Sequence, residues 1–340
     1  TTSKLEVYSS NSDEYDSFWK YVFPEAIPNS KINSEDDDFD NSDDFDDFYE
    51  DDEELEDVQE LLCSRTQGDY ELYTLNSDFY ISKSILKELN RIKNSYPNVT
   101  VAWGIFSLES DEYICTNNSE TYFPSCCTVK APFCLYCLKQ VKRGKASLDD
   151  VLIYDIYRHH YYSKTASASK IYSLGRSEFT LKEVIYYCLY CSDNDAYMML
   201  LDYFGTDGFN KEMARIGSTT SLDNGLLFGY ANVKNRATEW KEIYSFLSTD
   251  SMCASFFKET LDSAQHGYIE NGLGISTAHK SGWSKSNGTA NDCAIVYSEN
   301  GDYLMIILTK NTASNNPQKA LVSELAAVLN DLYDDYYENM

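Results

Sequence analysis

The sequence has no apolar run approaching the roughly 18 residues that a membrane-spanning helix requires. Its longest candidates, such as Tyr303 to Leu308, read as buried strands. Basic residues are scarce: 28 lysines and arginines stand against 55 aspartates and glutamates, a net charge of −27. Such a surface repels nucleic acid, no basic stripe offsets it locally, and it disfavours docking on an anionic membrane. Histidine is rarer still. The four histidines (159, 160, 266 and 279) show no ligand spacing, so no metal or other cofactor is expected. His159-His160, in a tyrosine-rich stretch, reads as a surface pair. No internal repeat is visible. The chain opens Thr1-Thr2-Ser3 without a signal-like hydrophobic segment, which fits a mature form and leaves its location open.

What the chain does have is size: 340 residues, 43% hydrophobic and 24% charged, enough to bury a substantial core in an ordinary soluble fold. Its first part is different. Between Glu35 and Asp57, 16 of 23 positions are acidic. Such a block repels itself and builds no core, so residues 1–76 read as a flexible acidic spacer ahead of a folded domain at 77–340. Phe39, Phe45, Phe48 and Tyr49 are interleaved with these acids, but the glycine of a calcium-binding loop is missing. Ten cysteines occur, at 63, 115, 126, 127, 134, 137, 188, 191, 253 and 293. Cys134, Cys137, Cys188 and Cys191 fall within apolar helical patterns, without the glycine-rich turns of a four-thiolate metal site, and read as small hydrophobes.

The folded part gives a clear order of elements. Ile85, Leu86, Leu89 and Ile92 set a helix over 82–96, and Val99 to Leu108 reads as a buried strand with a hairpin partner at Glu112 to Thr116. Helical patterns fill 130–143 and 177–203. Residues 277–310 are strand-rich, and Leu321, Leu325, Val328, Leu329 and Leu332 stripe a last helix after Pro317. The expected class is α/β of the α+β kind. An antiparallel sheet would be flanked by helices and joined to an all-helical lobe at about 127–260.

Three separated motifs carry the chemistry. They are Phe123-Pro124-Ser125-Cys126-Cys127-Thr128-Val129-Lys130, Ser192-Asp193-Asn194, and Lys280-Ser281-Gly282, the last followed by Gly288-Thr289-Ala290-Asn291-Asp292. They fall at a helix start, in a helix–helix loop, and at the start of an inner strand. Singly each has an ordinary explanation: an exposed helix lysine, an N-cap cluster, a strand-edge charge. Together they resemble the S-x-x-K, S-D-N and K-T-G set of class A β-lactamases and penicillin-binding DD-peptidases. The resemblance covers about Tyr80 to Tyr337 and implies a β-lactamase/transpeptidase-like fold. It also implies acyl-enzyme chemistry on β-lactams or D-Ala-D-Ala-like peptide termini. The substrate would be a small molecule or a peptidoglycan peptide, in an extracytoplasmic bacterial setting.

The same resemblance assigns roles. Cys127 stands at the nucleophile position, Lys130 accepts its proton, and Ser192 relays a proton to the leaving nitrogen. Asn194 holds the substrate amide and Lys130. Lys280 and Ser281 hold the substrate carboxylate. The oxyanion donors would be the backbone N–H groups of Cys127 and of Trp283, after Gly282.

Two departures from the family pattern stand out. Phe123-Pro124 and Lys130 fix the nucleophile position as Cys127, leaving Ser125 two residues early. Either the cysteine is native and the protein a thiol variant, or cysteine has replaced a serine in this chain. A thiolate here would be favoured by the helix start and two lysines, with weaker turnover than an alkoxide. Second, the E-x-x-L-N loop that supplies a deacylating glutamate in class A enzymes has no counterpart. Leu222-Asp223 is followed by no glutamate before Thr238. The pattern therefore favours a DD-peptidase-like or slow acyl-transfer role. A class A-like β-lactamase and a non-catalytic ligand-binding sensor are the alternatives.

Overall fold

The computed structural model describes residues 65–73, 79–110, 112–161, 169–223 and 225–338, so the acidic block lies outside the described residues. Strands β1 (Arg65–Gln67) and β2 (Tyr70–Leu72) precede helix α1 (Lys83–Ser95). β3 (Val99–Ser107), β4 (Tyr113–Asn117) and the short β5 (Phe123–Pro124) follow. A 3₁₀ turn at Cys126–Val129 runs directly into α2 (Lys130–Lys142). Next come β6 (Val151–Ile153), α3 (Ile156–His159), α4 (Lys170–Ser173), β7 (Glu178–Thr180), α5 (Leu181–Tyr190), α6 (Asn194–Phe204) and α7 (Asp207–Arg215). β8 (Tyr230–Ala231), α8 (Val233–Leu247), α9 (Met252–Asp262) and α10 (Tyr268–Leu273) lead to the last strands. These are β9 (Thr277–Ser284), β10 (Thr289–Val296) and β11 (Tyr303–Asn311), closed by α11 (Lys319–Glu338).

The main sheet is antiparallel, ordered β1-β2-β4-β3-β11-β10-β9. β3 and β11 form its centre, paired from Val99 opposite Asn311 to Ser107 opposite Tyr303. Both are long runs of β-branched, aromatic and aliphatic residues, which suit strands buried on both faces. One face carries the main core. There Ile85, Leu89 and Ile92 of α1 and Leu321, Leu325, Leu329 and Leu332 of α11 pack on Trp103, Ile105, Met305 and Ile307. Each fully buried aliphatic side chain of this kind is worth about 1.5–3 kcal/mol. The other face takes α8, which packs on β3, β10 and β11. Gly104 permits that approach, since a Cβ there would stand 2.7 Å from Val233 Cγ1.

α2 runs through the middle of the helical lobe. Ala131, Phe133, Cys134, Leu135, Cys137 and Leu138 are all buried, so it is apolar all round, as a core helix must be. α5, α6, α8 and α9 pack near it, and this lobe with the sheet gives the β-lactamase/transpeptidase-like α+β architecture.

Three expectations are corrected. The sheet begins at Arg65, ahead of Ser77, because β1 and β2 are three residues each and too short to show a period. The strand carrying Lys280 is not an inner one. β9 is the terminal strand of the sheet among the described residues, and Lys280 lies midway along it. His159-His160 is not a surface pair. His159 is 4% exposed and accepts the Asp155 N–H at Nδ1, with Nε2 3.3 Å from Asp202. His160 Nδ1 lies 2.8 Å from Asp195 Oδ2, which also accepts the Tyr154 hydroxyl, while Asp195 Oδ1 takes the Tyr161 N–H. The tyrosine-rich segment thus folds over a buried carboxylate that a linear reading does not place beside it.

Candidate active site

The local fold of residues 123–130 decides which side chain is exposed. β5 pairs with β8, and the Ser125 N–H donates to Gly229 O at 3.1 Å. Cys126 then takes φ 49°, in the left-handed region that is costly for a non-glycine residue. That kink turns Ser125 and Cys126 inward, at 1% and 8% exposure, and leaves Cys127 partly exposed. The turn is tied to the sheet by Asn291. Its Nδ2 donates to Pro124 O at 2.9 Å and its Oδ1 accepts the Thr309 N–H at 2.9 Å. Cys127 occupies the start of the 3₁₀ turn, where the first N–H groups have no partner inside the helix.

Lys130, one turn on, is wholly buried. Its ammonium donates to Asn194 Oδ1 at 2.7 Å, Ser192 O at 2.8 Å and Asp193 O at 3.2 Å. The Cys127 thiol lies 3.8 Å from the same Asn194 Oδ1. Asn194 therefore bridges Cys127 and Lys130. The rings of Tyr197 and Phe228 stand 5.6 and 5.9 Å from the Lys130 nitrogen.

The Ser192-Asp193-Asn194 loop is held by its middle residue. Asp193 caps α6, its Oδ1 accepting the N–H groups of Asp195 (2.8 Å) and Ala196 (3.2 Å). Its Oδ2 accepts those of Lys170 and Ile171. The motif is an N-cap and a site element at once. With the cap fixed and Ser192 at φ 58°, the flanking Ser192 and Asn194 side chains are directed to the lysines. Lys280, 1% exposed, donates to Ser192 Oγ at 2.9 Å and to Ser281 O at 2.8 Å.

Neither lysine makes an ion pair with a carboxylate among the described residues. In a chain so acidic, two uncompensated ammonium groups beside a thiol define the electrostatics. Burial alone would push the Cys127 thiol up. The charges of Lys130 and Lys280, with hydrogen bonds from Ser192 and Lys130, hold it below its ordinary value instead. Burial pulls Lys280 below its ordinary value, against the attraction of Cys127 and with the repulsion of Lys130. By contrast, burial pushes the thiols of Cys126, Cys134 and Cys137 up. Cys134 and Cys188 meet at 3.8 Å between α2 and α5, packed in the lobe.

Gly282 brings β9 against the 3₁₀ turn at Cys126–Val129. A Cβ at this position would stand 2.5 Å from Cys127 N and 2.9 Å from Thr128 N, both backbone atoms that cannot swing away. Side chains alternate along β9, so Lys280 faces the helical lobe while Ser281 and Trp283 face the α10–α11 side. Ser281 lies opposite Asp292 in the register. The structure thus gathers Cys127, Lys130, Ser192, Asn194 and Lys280 at one point and sets Gly282 against them. Ser281 and Trp283 border that point from the other side of the strand.

Residues with no expected role also shape the site: Asn291, Asp193, Tyr197 and Phe228. Asn291-Asp292 inside the apolar run of β10 is the one signal that points to a buried polar anchor. Over the loop, the Tyr197 hydroxyl donates to Leu227 O at 2.8 Å, and Phe228 packs on Tyr197. Asp223 is exposed and accepts the N–H of Gly225 within its own turn. Phe228, not a carboxylate, faces Lys130 from this loop, beside the Tyr197 ring of α6.

A model of the β-lactamase enzyme family matches residues 84–333. No curated protein sequence matches the chain significantly. Among solved structures, a β-lactamase from Chitinophaga pinensis is similar at TM-score 0.63 and 20% identity, over 75% of this chain and 100% of that one. A β-lactamase from Sphaerobacter thermophilus is similar at TM-score 0.62 and 18% identity, over 73% and 97%. The structure of PBP-A is similar at TM-score 0.62 and 20% identity, over 73% and 96%.

Proposed function

We propose, on the premise that the chain belongs to the β-lactamase enzyme family, that it forms a Cys127 acyl-enzyme with β-lactams or D-Ala-D-Ala-like peptide termini. It is a hydrolase of the serine β-lactamase and penicillin-binding type, working here through a thiol. The observation that carries this reading is the bridge at Asn194 Oδ1, 2.7 Å from the Lys130 ammonium and 3.8 Å from the Cys127 sulfur. Lys280 extends the bridge by donating to Ser192 Oγ.

The chemistry follows from that arrangement. The Cys127 thiolate attacks the carbonyl carbon, forming a C–S bond while the carbonyl oxygen takes the negative charge. The N–H groups of Cys127 and Trp283 stabilise that oxyanion. The tetrahedral species collapses, the C–N bond breaks, and the leaving nitrogen takes a proton from Ser192, whose oxygen already accepts from Lys280. Lys130, holding the proton given up by the thiol, restores the one on Ser192 through the Asn194 side of the site. Ser281 and Lys280 hold the substrate carboxylate. These roles suit an anionic substrate, because the ammonium groups lack a carboxylate of their own.

Deacylation is the slow half. Water attack needs a base, and the loop that ends at Phe228 presents that ring to Lys130. A long-lived thioester fits peptidase-like or acyl-transfer behaviour better than fast antibiotic hydrolysis. The function places the protein outside the bacterial cytoplasm, where such substrates lie.

Intact-protein mass after incubation with benzylpenicillin tests the reading, on this chain and on Cys127→Ser. A stable adduct of the penicillin's mass mapping to residue 127 is expected. No adduct and no consumption of penicillin with either protein refutes it.

A further inference from the structure

The α10–α11 side of β9 carries a buried hydroxyl that the mechanism above does not use. Tyr268, the first residue of α10, is 5% exposed, and its hydroxyl has no hydrogen-bond partner. An unpaired buried polar atom costs about 1–3 kcal/mol, so its retention calls for a reason. Its placement is fixed on three sides. The Tyr268 N–H donates to Asp292 Oδ2 at 2.7 Å, and the Ile269 N–H to the same oxygen at 3.0 Å. Asp292 is paired across the strands with Ser281, so both side chains lie on this face. The Lys319 ammonium covers the Tyr268 ring at 5.7 Å and the Trp283 ring at 4.2 Å, and Trp283 is two residues along the same face from Ser281. The bond to Asp292 and the shared Lys319 contact place Tyr268 on the Ser281 face of β9.

We propose that Tyr268 is a positioning residue for substrate recognition: its hydroxyl, unpaired in this structure, donates to Ser281 Oγ when substrate binds, so that the Ser281 hydrogen is turned toward the substrate's carboxylate. Ser281 has one hydrogen to give, and a donor behind it removes the competing orientations and strengthens the bond in front. Burial pushes the Tyr268 phenol above its ordinary value, with the nearby Asp292 and Cys127 adding to the rise and Ser281 offsetting part of it. It therefore remains a donor throughout the neutral range. The proposal rests on the acyl-enzyme reading of the same site and adds a residue that sets its preference for anionic substrates.

The test compares covalent labelling rates with benzylpenicillin and with its methyl ester, which lacks the carboxylate. The proteins are wild type, Tyr268→Phe, Ser281→Ala and the double variant. Tyr268→Phe should slow labelling by the acid about fivefold to tenfold, the worth of one hydrogen bond, and leave the ester rate unchanged. It should add nothing in the Ser281→Ala background. Thermal stability of Tyr268→Phe should not fall, because the lost hydroxyl is unpaired, so a slower rate cannot be ascribed to unfolding. Equal effects on acid and ester, no effect on either, or full additivity with Ser281→Ala overturns the positioning role while the acyl-enzyme stands. A wild type that neither compound labels overturns both.

Discussion

Replacing Lys130 by methionine probes the electrostatic core of the site. Asn194 Oδ1 lies 2.7 Å from the Lys130 nitrogen and 3.8 Å from the Cys127 sulfur, which bounds the separation of ammonium and sulfur at about 6.5 Å. At an effective dielectric of about 20, a charge pair about 6 Å apart is worth about 2–3 kcal/mol, or roughly a hundredfold in proton affinity. Lys280 contributes in the same direction, and burial opposes both. The sign is direct. The thiolate fraction climbs as pH rises through the thiol's pKa, so a depressed pKa delivers full thiolate at lower pH. In wild type, alkylation of Cys127 by iodoacetamide should reach half its plateau below the pH of an ordinary thiol. In Lys130→Met that midpoint should move to higher pH. Below both midpoints the variant should hold about a hundredfold less thiolate, the worth of the lost charge pair. Each thiolate is more nucleophilic as its basicity rises, with a Brønsted slope of about 0.4–0.5, which returns about a factor of ten. The net expectation is alkylation about tenfold slower below both midpoints and faster at the high-pH plateau. Mass spectrometry mapped to residue 127 across a pH series supplies both numbers. An unchanged midpoint would refute the claim that Lys130 sets the state of this sulfur.

Two further substitutions test the scaffold. Gly282→Ala places a Cβ 2.5 Å from Cys127 N, so β9 and the nucleophile turn must separate. Penicillin labelling should fall by about 10²-fold or more, the usual cost of an oxyanion donor, and a labelling rate near wild type would show that the close approach is not needed. Asp193→Ala removes a carboxylate that accepts from Asp195, Ala196, Lys170 and Ile171. It should destabilise the fold by more than the ~1 kcal/mol of a typical N-cap, read as a lower urea midpoint at constant slope.

Long, strongly patterned elements were legible in the sequence. α1 and α11 declare themselves by the spacing of Leu89 and Ile92 or of Leu325, Leu329 and Leu332, because a 3.6-residue period survives any context. β1 and β2 do not, since three residues hold too little pattern, and their place is set by the pairing of β2 with β4 and of β1 with β2. The motif residues were legible for a different reason. The motifs that carry Cys127 and Lys130, Ser192 and Asn194, and Lys280 lie far apart in the chain, and only their joint order singles them out. What the order does not supply is direction. That Lys280 and Ser281 face opposite sides of β9 follows from strand alternation. That β9 ends the sheet, with α10 and α11 behind Ser281, follows only from the three-dimensional arrangement.

The deacylation loop shows the same division with a functional consequence. The missing glutamate between Leu222 and Thr238 is visible in one dimension, and it predicts only that a base is lacking. The structure adds what stands in its place: Phe228 packed on Tyr197, with Tyr197 anchored to Leu227 O, and both rings within 6 Å of the Lys130 nitrogen. An aromatic wall does more than omit a base. It sets apolar rings beside Lys130 where a carboxylate would pair with the ammonium. The Lys130 charge therefore acts on Cys127 and holds its thiol below the ordinary value. On the acyl-enzyme reading proposed above, the absent base slows hydrolysis while the retained charge favours attack, so that such an intermediate would form readily and leave slowly.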